Sequence, residues 1–248
     1  MKILIWGRGV IGTQYAWALE NAGHTVEFYV REGRKAQYGS YVNLELWDTR
    51  KSKKDRIVKE KWDIVMHEEI KENHDYDLIF ISVNPEQISS VVKYLAPRVG
   101  NATVLFFSNF WQDPQLAVSP IPRNQIVYGF PGGGGGFEGN TLYGGFYKTV
   151  QFGTFESQPT KRDLEVRKLF VQAGFKIMVQ KDIKSWPPKV VSFIMTQVVF
   201  SPKSMAYALM AHNHFKVGYA VQEIITAASK YGIKVPRLYE VENLIKEQ

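Results

Sequence analysis

The chain has 248 residues, with 31 Lys and Arg against 24 Asp and Glu, and no cysteine. Its 45% apolar and 22% charged content excludes a disordered chain, and the length suits one large or two modest domains with a substantial core. The missing cysteine excludes disulfides, thiol nucleophiles and cysteine-built zinc sites.

The opening, Met-Lys-Ile-Leu-Ile-Trp-Gly, reaches a glycine loop at once, so no signal peptide is expected. No apolar run approaches a membrane span. The expectation is a cytoplasmic chain without a membrane partner. Residues 2–6 form a short apolar run, as a strand buried on both faces does. From Val10 to Ala22 the period changes: Ile11, Tyr15, Ala18, Leu19 and Ala22 make a helical stripe, stopped at Gly23. Thr25 to Val30 is β-rich again. Strand, glycine turn, helix and strand make a βαβ unit with parallel strands.

The alternation continues along the chain. Trp62 to His67, Asp77 to Val83, Thr103 to Ser108 and Gln125 to Phe130 read as strands, and Pro85 to Leu95 as a helix with proline in its first turn. The five glycines Gly132 to Gly136 read as irregular, because ordering them costs entropy. Residues 141–156 read as a hairpin or late strands. From Thr160 the pattern is helical: Asp163 to Ala173, Pro188 to Ser201, Ser204 to Ala211 and Tyr219 to Tyr231. The predicted fold class is α/β, a Rossmann-type doubly wound parallel sheet over residues 1–160 followed by a smaller all-helical domain over 161–248.

The net charge of +7 raises nucleic acid as a partner, but the charge is spread unevenly, with an acidic middle between basic ends. The densest basic run, Arg50 to Arg56, lacks interleaved aromatics and reads as a solvated loop. No nucleic-acid partner is expected. His212 and His214 match no zinc spacing, so no metal site is expected either.

Gly7-Arg8-Gly9-Val10-Ile11-Gly12 matches G-x-G-x-x-G. Alone the motif is weak; leaving a strand and opening a helix inside a βαβ unit makes it specific for a dinucleotide. Gly7 permits the tight turn, Gly9 lets the backbone approach a pyrophosphate, and Gly12 permits close helix–strand packing. Val10 and Ile11 offer helix N-terminal amides to the phosphates. NAD-binding chains usually carry Asp or Glu about 20 residues on, for the ribose 2′-hydroxyl. Here that place holds Arg31, followed by Arg34 and Lys35, and a guanidinium suits a 2′-phosphate. NADP(H) is therefore expected over NAD(H), with Glu32 as the competing detail.

These pieces together resemble the ketopantoate reductase (2-dehydropantoate 2-reductase) family. The run through Gly12, then Gly23-His24-Thr25-Val26 and Val30-Arg31, is similar to that family's opening. Ser82-Val83-Asn84 stands where the family ends a strand at the cofactor, usually with lysine in place of Asn84. Ser108-Asn109 stands where the family has asparagine followed by glycine. Gly129, the glycine run and Glu138-Gly139-Asn140 resemble its segment beside the nicotinamide, and Tyr231 to Pro236 its last helix turn. The resemblance implies a Rossmann domain, a helical second domain, a site between them, and reduction of a 2-keto acid by NADPH. It places Val83, Asn84 and Asn109 at the cofactor.

The resemblance also implies a lysine proton donor and a substrate-positioning glutamate. Counted from Pro202 and Gly232, those places hold Phe193 and Lys216, while Gln197 replaces an asparagine. The candidates that remain are Lys189, one turn earlier, as the proton donor, and Asn109, at a strand end facing the ligand crevice, as an orienting amide. Ser192, Thr196 and Gln197 would line the substrate side. The expected function is an NADPH-dependent reductase of a small anionic carbonyl compound. The alternative is an NADP(H)-binding or sensing protein without turnover. A helical lobe of this size implies a homodimer.

Overall fold

The computed structural model describes residues 1–180, apart from Lys53, Asn109, Trp111, Gln112 and Ser157. Two compact units part between Lys184 and Ser185, and the described residues lie in the first. Its elements in chain order are β1 (Lys2–Trp6), α1 (Val10–Glu20), β2 (Thr25–Tyr29), α2 (Arg34–Tyr38), β3 (Tyr41–Asp48), β4 (Ile57–Asp63) and β5 (Met66–His67). Then come β6 (Leu78–Ile81), α3 (Ile88–Leu95), β7 (Thr103–Phe106), α4 (Pro114–Ala117) and β8 (Ile126–Phe130). The last are β9 (Gly133–Glu138), β10 (Thr141–Phe146), β11 (Thr149–Gly153), α5 (Lys161–Gln172) and β12 (Lys176–Gln180).

The larger sheet runs β12-β11-β8-β7-β6-β1-β2-β5. From β5 to β8 all neighbours are parallel. The chain leaves β1 toward β2 and β5, then returns to the other side of β1 at β6. That reversal is the doubly wound topology, and its switch point is the crevice beyond the carboxyl ends of β1 and β6. Ile3, Leu4, Ile5, Leu78 to Ile81 and Val104 to Phe106 have no exposed surface, as expected of strands covered on both faces.

A second sheet, β4-β3-β10-β9, lies over α1. The sequence stripe on α1 describes one apolar face, but Gly12 through Leu19 are all buried, because the helix has a sheet on each side. Tyr15 joins the layers. Its ring lies 5.0 Å from Phe107 and 6.2 Å from Phe80 on one side, and 5.7 Å from Phe146 of β10 on the other. Its hydroxyl accepts from the Gly132 N–H at 3.1 Å. Burying a side chain of this size contributes on the order of 3 kcal/mol.

The second sheet corrects several expectations. The glycine run is not irregular: Gly133 to Gly136 open β9, whose Gly134 and Gly135 pair with Gly145 and Gly144 of β10. A Cβ on Gly144 would stand 2.4 Å from the Gly134 carbonyl oxygen and 2.5 Å from Gln14 Nε2. Facing glycines thus let α1 approach the strands closely enough for the Gln14 side chain to donate to that carbonyl at 3.0 Å. The entropy cost invoked against a glycine strand is outweighed by this packing.

The strand expected over 62–67 is instead β4, ending at Asp63, with β5 as a separate two-residue bridge. Strand β3 adds to the expected elements: Val42, Leu44 and Leu46 alternate with polar neighbours and are buried as that period requires. Of the hairpin or late strands expected over residues 141–156, the structure has late strands, β10 in the second sheet and β11 in the first. Helix α5, capped by Thr160 accepting from Asp163 N–H at 3.1 Å, and β12, paired with β11, both belong to the first unit. The sequence reading places this helix beyond a boundary near residue 160.

Arg50 is not part of a solvated run. Its side chain is 10% exposed and faces Asp48, which is fully buried. Lys51 and Lys54 are exposed as expected. The Arg50 guanidinium lies inward, over the rings of Trp17, Phe146 and Phe175.

Candidate nucleotide site

The glycine motif sits at the switch point. Gly7 has φ +81°, a conformation costly for any residue with a Cβ, and its N–H donates to the Tyr29 carbonyl at 2.8 Å, tying the turn to the end of β2. Gly9 is the N-cap of α1 and no side chain caps the helix there. The amides of its first turn are therefore left for a ligand or solvent. No atom lies within 4 Å of a Cβ placed on Gly9, so its face is open. A Cβ on Gly12 would stand 3.0 Å from both Ile5 Cγ2 and Ser82 Oγ, the close helix–strand contact the motif requires. Val10 and Ile11 are half-buried at the helix start. An open backbone cradle at a helix N-terminus fits the pyrophosphate of a dinucleotide.

The end of β2 supplies the next wall. Val30 is buried, while Arg31 and Glu32 are exposed. Arg34 donates to Gln37 at 2.8 Å, and the Lys35 N–H to Glu68 at 2.9 Å. At the end of β6, Ser82 and Val83 are half-buried and Asn84 is exposed, its N–H donating to Gln87 Oε1 at 3.2 Å. After β7, Ser108 is buried, with its hydroxyl 3.3 Å from the Ile81 carbonyl. The fold thus gathers Gly7, Gly9, Val10, Ile11, Gly12, Arg31, Val83 and Asn84 at the strand ends facing the crevice. Asn109, Lys189, Ser192, Thr196 and Gln197 lie outside the described residues.

Sequence reasoning overlooked Arg8, at a variable position of the motif. It is 7% exposed. Its guanidinium carbon lies 5.0 Å from the ring centre of Tyr38, at the end of α2, and 4.5 Å from that of Phe137 in β9. One terminal nitrogen donates to Asn140 Oδ1. Burial pulls its pKa below the ordinary arginine value, though a guanidinium remains charged near neutrality. The available signal was an arginine within a glycine loop whose neighbours are otherwise apolar.

The family model for Ketopantoate reductase PanE/ApbA matches residues 3–157, more than half of the chain. The chain belongs to this family. The ketopantoate reductase family is a family of oxidoreductases acting between an alcohol and a carbonyl, and its members depend on NAD(P)H. No curated protein matches the chain in sequence.

Solved structures share the fold. A 2-dehydropantoate 2-reductase from Geobacter metallireducens GS-15 superposes with a TM-score of 0.63 at 17% identity, covering 98% of this chain and 87% of its own. D-mandelate dehydrogenase with NADH and anilino(oxo)acetate has a TM-score of 0.61 at 16% identity, covering 100% and 78%. A dimeric ketopantoate reductase from Staphylococcus aureus has a TM-score of 0.55 at 13% identity, covering 80% and 61%. Among the described residues of this ketopantoate reductase family member, no helix is long and apolar enough to cross a membrane.

Proposed function

We propose that the chain is an NADPH-dependent reductase of a small anionic carbonyl compound, a 2-keto acid. The observation that carries the reading is the open glycine cradle at the switch point with Arg31 exposed at the end of the neighbouring strand. When bound, the dinucleotide supplies the reducing equivalent for the carbonyl carbon. The amides of Val10 and Ile11 bind its pyrophosphate, Gly9 admits the backbone approach, and Arg31 binds the 2′-phosphate. Val83 and Asn84 adjoin it from the end of β6. On the substrate side, Asn109 orients the carbonyl, Lys189 delivers the proton to the alkoxide oxygen, and Ser192, Thr196 and Gln197 line the pocket. The D-mandelate dehydrogenase likeness, a protein solved with the oxo acid anilino(oxo)acetate, supports the 2-keto acid class. The dimeric relative supports a homodimer.

A second reading is an NADP(H)-binding or sensing protein. Phe193 and Lys216, at the places of the family's lysine and glutamate, favour it. NADPH oxidation over a panel of 2-keto acids separates the two. Turnover that Lys189→Ala abolishes supports the reductase. Tight NADPH binding with no turnover of any keto acid supports the sensor. Equal or tighter binding of NADH overturns the Arg31 assignment in both.

A further inference from the structure

We propose that Arg8 binds the ribose 2′-phosphate of NADP(H) together with Arg31, and so is a specificity-determining residue of the nucleotide site. The inference rests on the cofactor reading above and deepens it.

Two buried arginines lie against aromatic rings and differ in one partner. Arg50 lies over the rings of Trp17, Phe146 and Phe175 and is matched by the buried carboxylate of Asp48. Arg8 lies against the rings of Tyr38 and Phe137 and, among the described residues, has no carboxylate within ion-pair distance. Its hydrogen bond to Asn140 is to a neutral amide, and its Nε–H is buried with no partner. A charge taken out of water without a counter-charge is costly, and an unpaired buried donor adds to that cost. Ring faces recover only part of it. The chain therefore holds a preformed cation and supplies no anion for it.

Position identifies the anion. Arg8 directly precedes Gly9, the N-cap of α1, within the glycine loop. One of its two rings, Tyr38, closes the helix that begins three residues after Arg31. The pyrophosphate already has the loop backbone and the helix amides. The 2′-phosphate belongs beside the end of β2, the segment that carries Arg31 and leads into the helix closed by Tyr38. The guanidinium lies against the Tyr38 and Phe137 rings, and its forked N–H donors suit a phosphate, which they meet with two parallel hydrogen bonds. Tyr38 at the end of α2, and Phe137 and Asn140 from the β9–β10 hairpin, hold the side chain in place before the nucleotide arrives.

The test compares wild type with Arg8→Gln and Arg8→Lys by equilibrium titration with NADPH, NADH, adenosine 2′,5′-bisphosphate and AMP. The expected result for Arg8→Gln is a loss of at least about tenfold for NADPH and the bisphosphate, with NADH and AMP within about threefold of wild type. Arg8→Lys keeps the charge without the fork and falls between. Losses of the same factor for NADPH and NADH overturn the inference in favour of the pyrophosphate. Unchanged affinities for all four overturn it in favour of a purely structural arginine. Should Arg8→Gln fail to fold, the Arg8 Nε–H resonance of the wild-type chain decides: it moves on adding NADPH and not NADH if the inference holds, and moves alike with both, or with neither, if it fails. A wild-type chain that binds NADPH while any overturning result appears sinks this inference alone. One that binds neither dinucleotide sinks the cofactor reading as well.

Discussion

The Arg50 side chain grips the Asp48 carboxylate through two hydrogen bonds, Nε to Oδ1 at 2.9 Å and a terminal nitrogen to Oδ2 at 2.8 Å. Its other terminal nitrogen donates to the Ala173 carbonyl at 2.6 Å, which ties the end of β3 to the end of α5. Because the carboxylate is fully buried, removing one partner strands a charge. Asp48→Ala is expected to cost about 3–5 kcal/mol of unfolding free energy, measured by urea titration. A loss below about 1 kcal/mol would mean that water reaches the orphaned guanidinium.

Gly9 and Gly12 serve different ends, and alanine tells them apart. At Gly9 the backbone, φ −79° and ψ 170°, suits any residue, and an added Cβ meets nothing within 4 Å. Gly9→Ala should cost no more than about 1 kcal/mol in stability while weakening NADPH at least about tenfold, since the methyl stands where the pyrophosphate approaches. Gly12→Ala should cost about 1–3 kcal/mol through its contacts with Ile5 and Ser82. Adding Ser82→Ala should return part of that cost. Calorimetry and nucleotide titration on the same preparations check both; a Gly9→Ala chain with unaltered NADPH affinity would contradict the cradle.

The glycine strand is predicted to be indispensable to the fold and not to nucleotide chemistry. Gly135 has φ +153°, and a Cβ there would stand 2.2 Å from the Tyr143 carbonyl oxygen. Strain and overpacking together, each about 1–3 kcal/mol, should lower the midpoint of Gly135→Ala sharply. Gly139→Ala, at the exposed turn, meets no atom within 4 Å and carries only the φ +57° penalty. Thermal melts of the two variants should therefore differ, with Gly135→Ala the lower.

Alkaline stability should follow the buried phenols. Burial, foremost, and the neighbouring Tyr94 push the Tyr29 pKa from 10.0 up to about 12. Tyr15, Tyr76 and Tyr128 are also raised, chiefly by burial. A folded-state pKa above the unfolded value gives stability that is whole below pH 10 and lost as pH climbs toward 12, because only the unfolded chain then releases the proton. Urea midpoints should fall through that window, and the fall should be shallower in Tyr29→Phe. The same slope in both chains would show that Tyr29 ionises alike in either state.

Much of this site is legible from local pattern. The glycine motif needs only a strand before it and a helix after it, and both follow from the hydrophobic period of some 30 residues. Arg31 follows by counting to the end of the next strand. The buried strands β1, β6, β7 and β8 announce themselves as short apolar runs, since a strand covered on both faces has no polar side to show. These features are encoded by neighbours in sequence, within one strand, turn or helix at a time.

What the tertiary structure alone decided lies between segments far apart in the chain. Whether Gly133 to Gly136 form a loop or a strand depends on whether Gly144, Gly145 and the Gln14 side chain stand opposite. Whether Arg50 is solvated depends on Asp48, Phe146 and Phe175 closing over it. Arg8 is a surface-type residue in any local window. It is buried because Tyr38 from α2, and Phe137 and Asn140 from the β9–β10 hairpin, converge on it. Burial is a property of the assembled layers, so the partner that a buried charge possesses or lacks can be read only after the chain has folded.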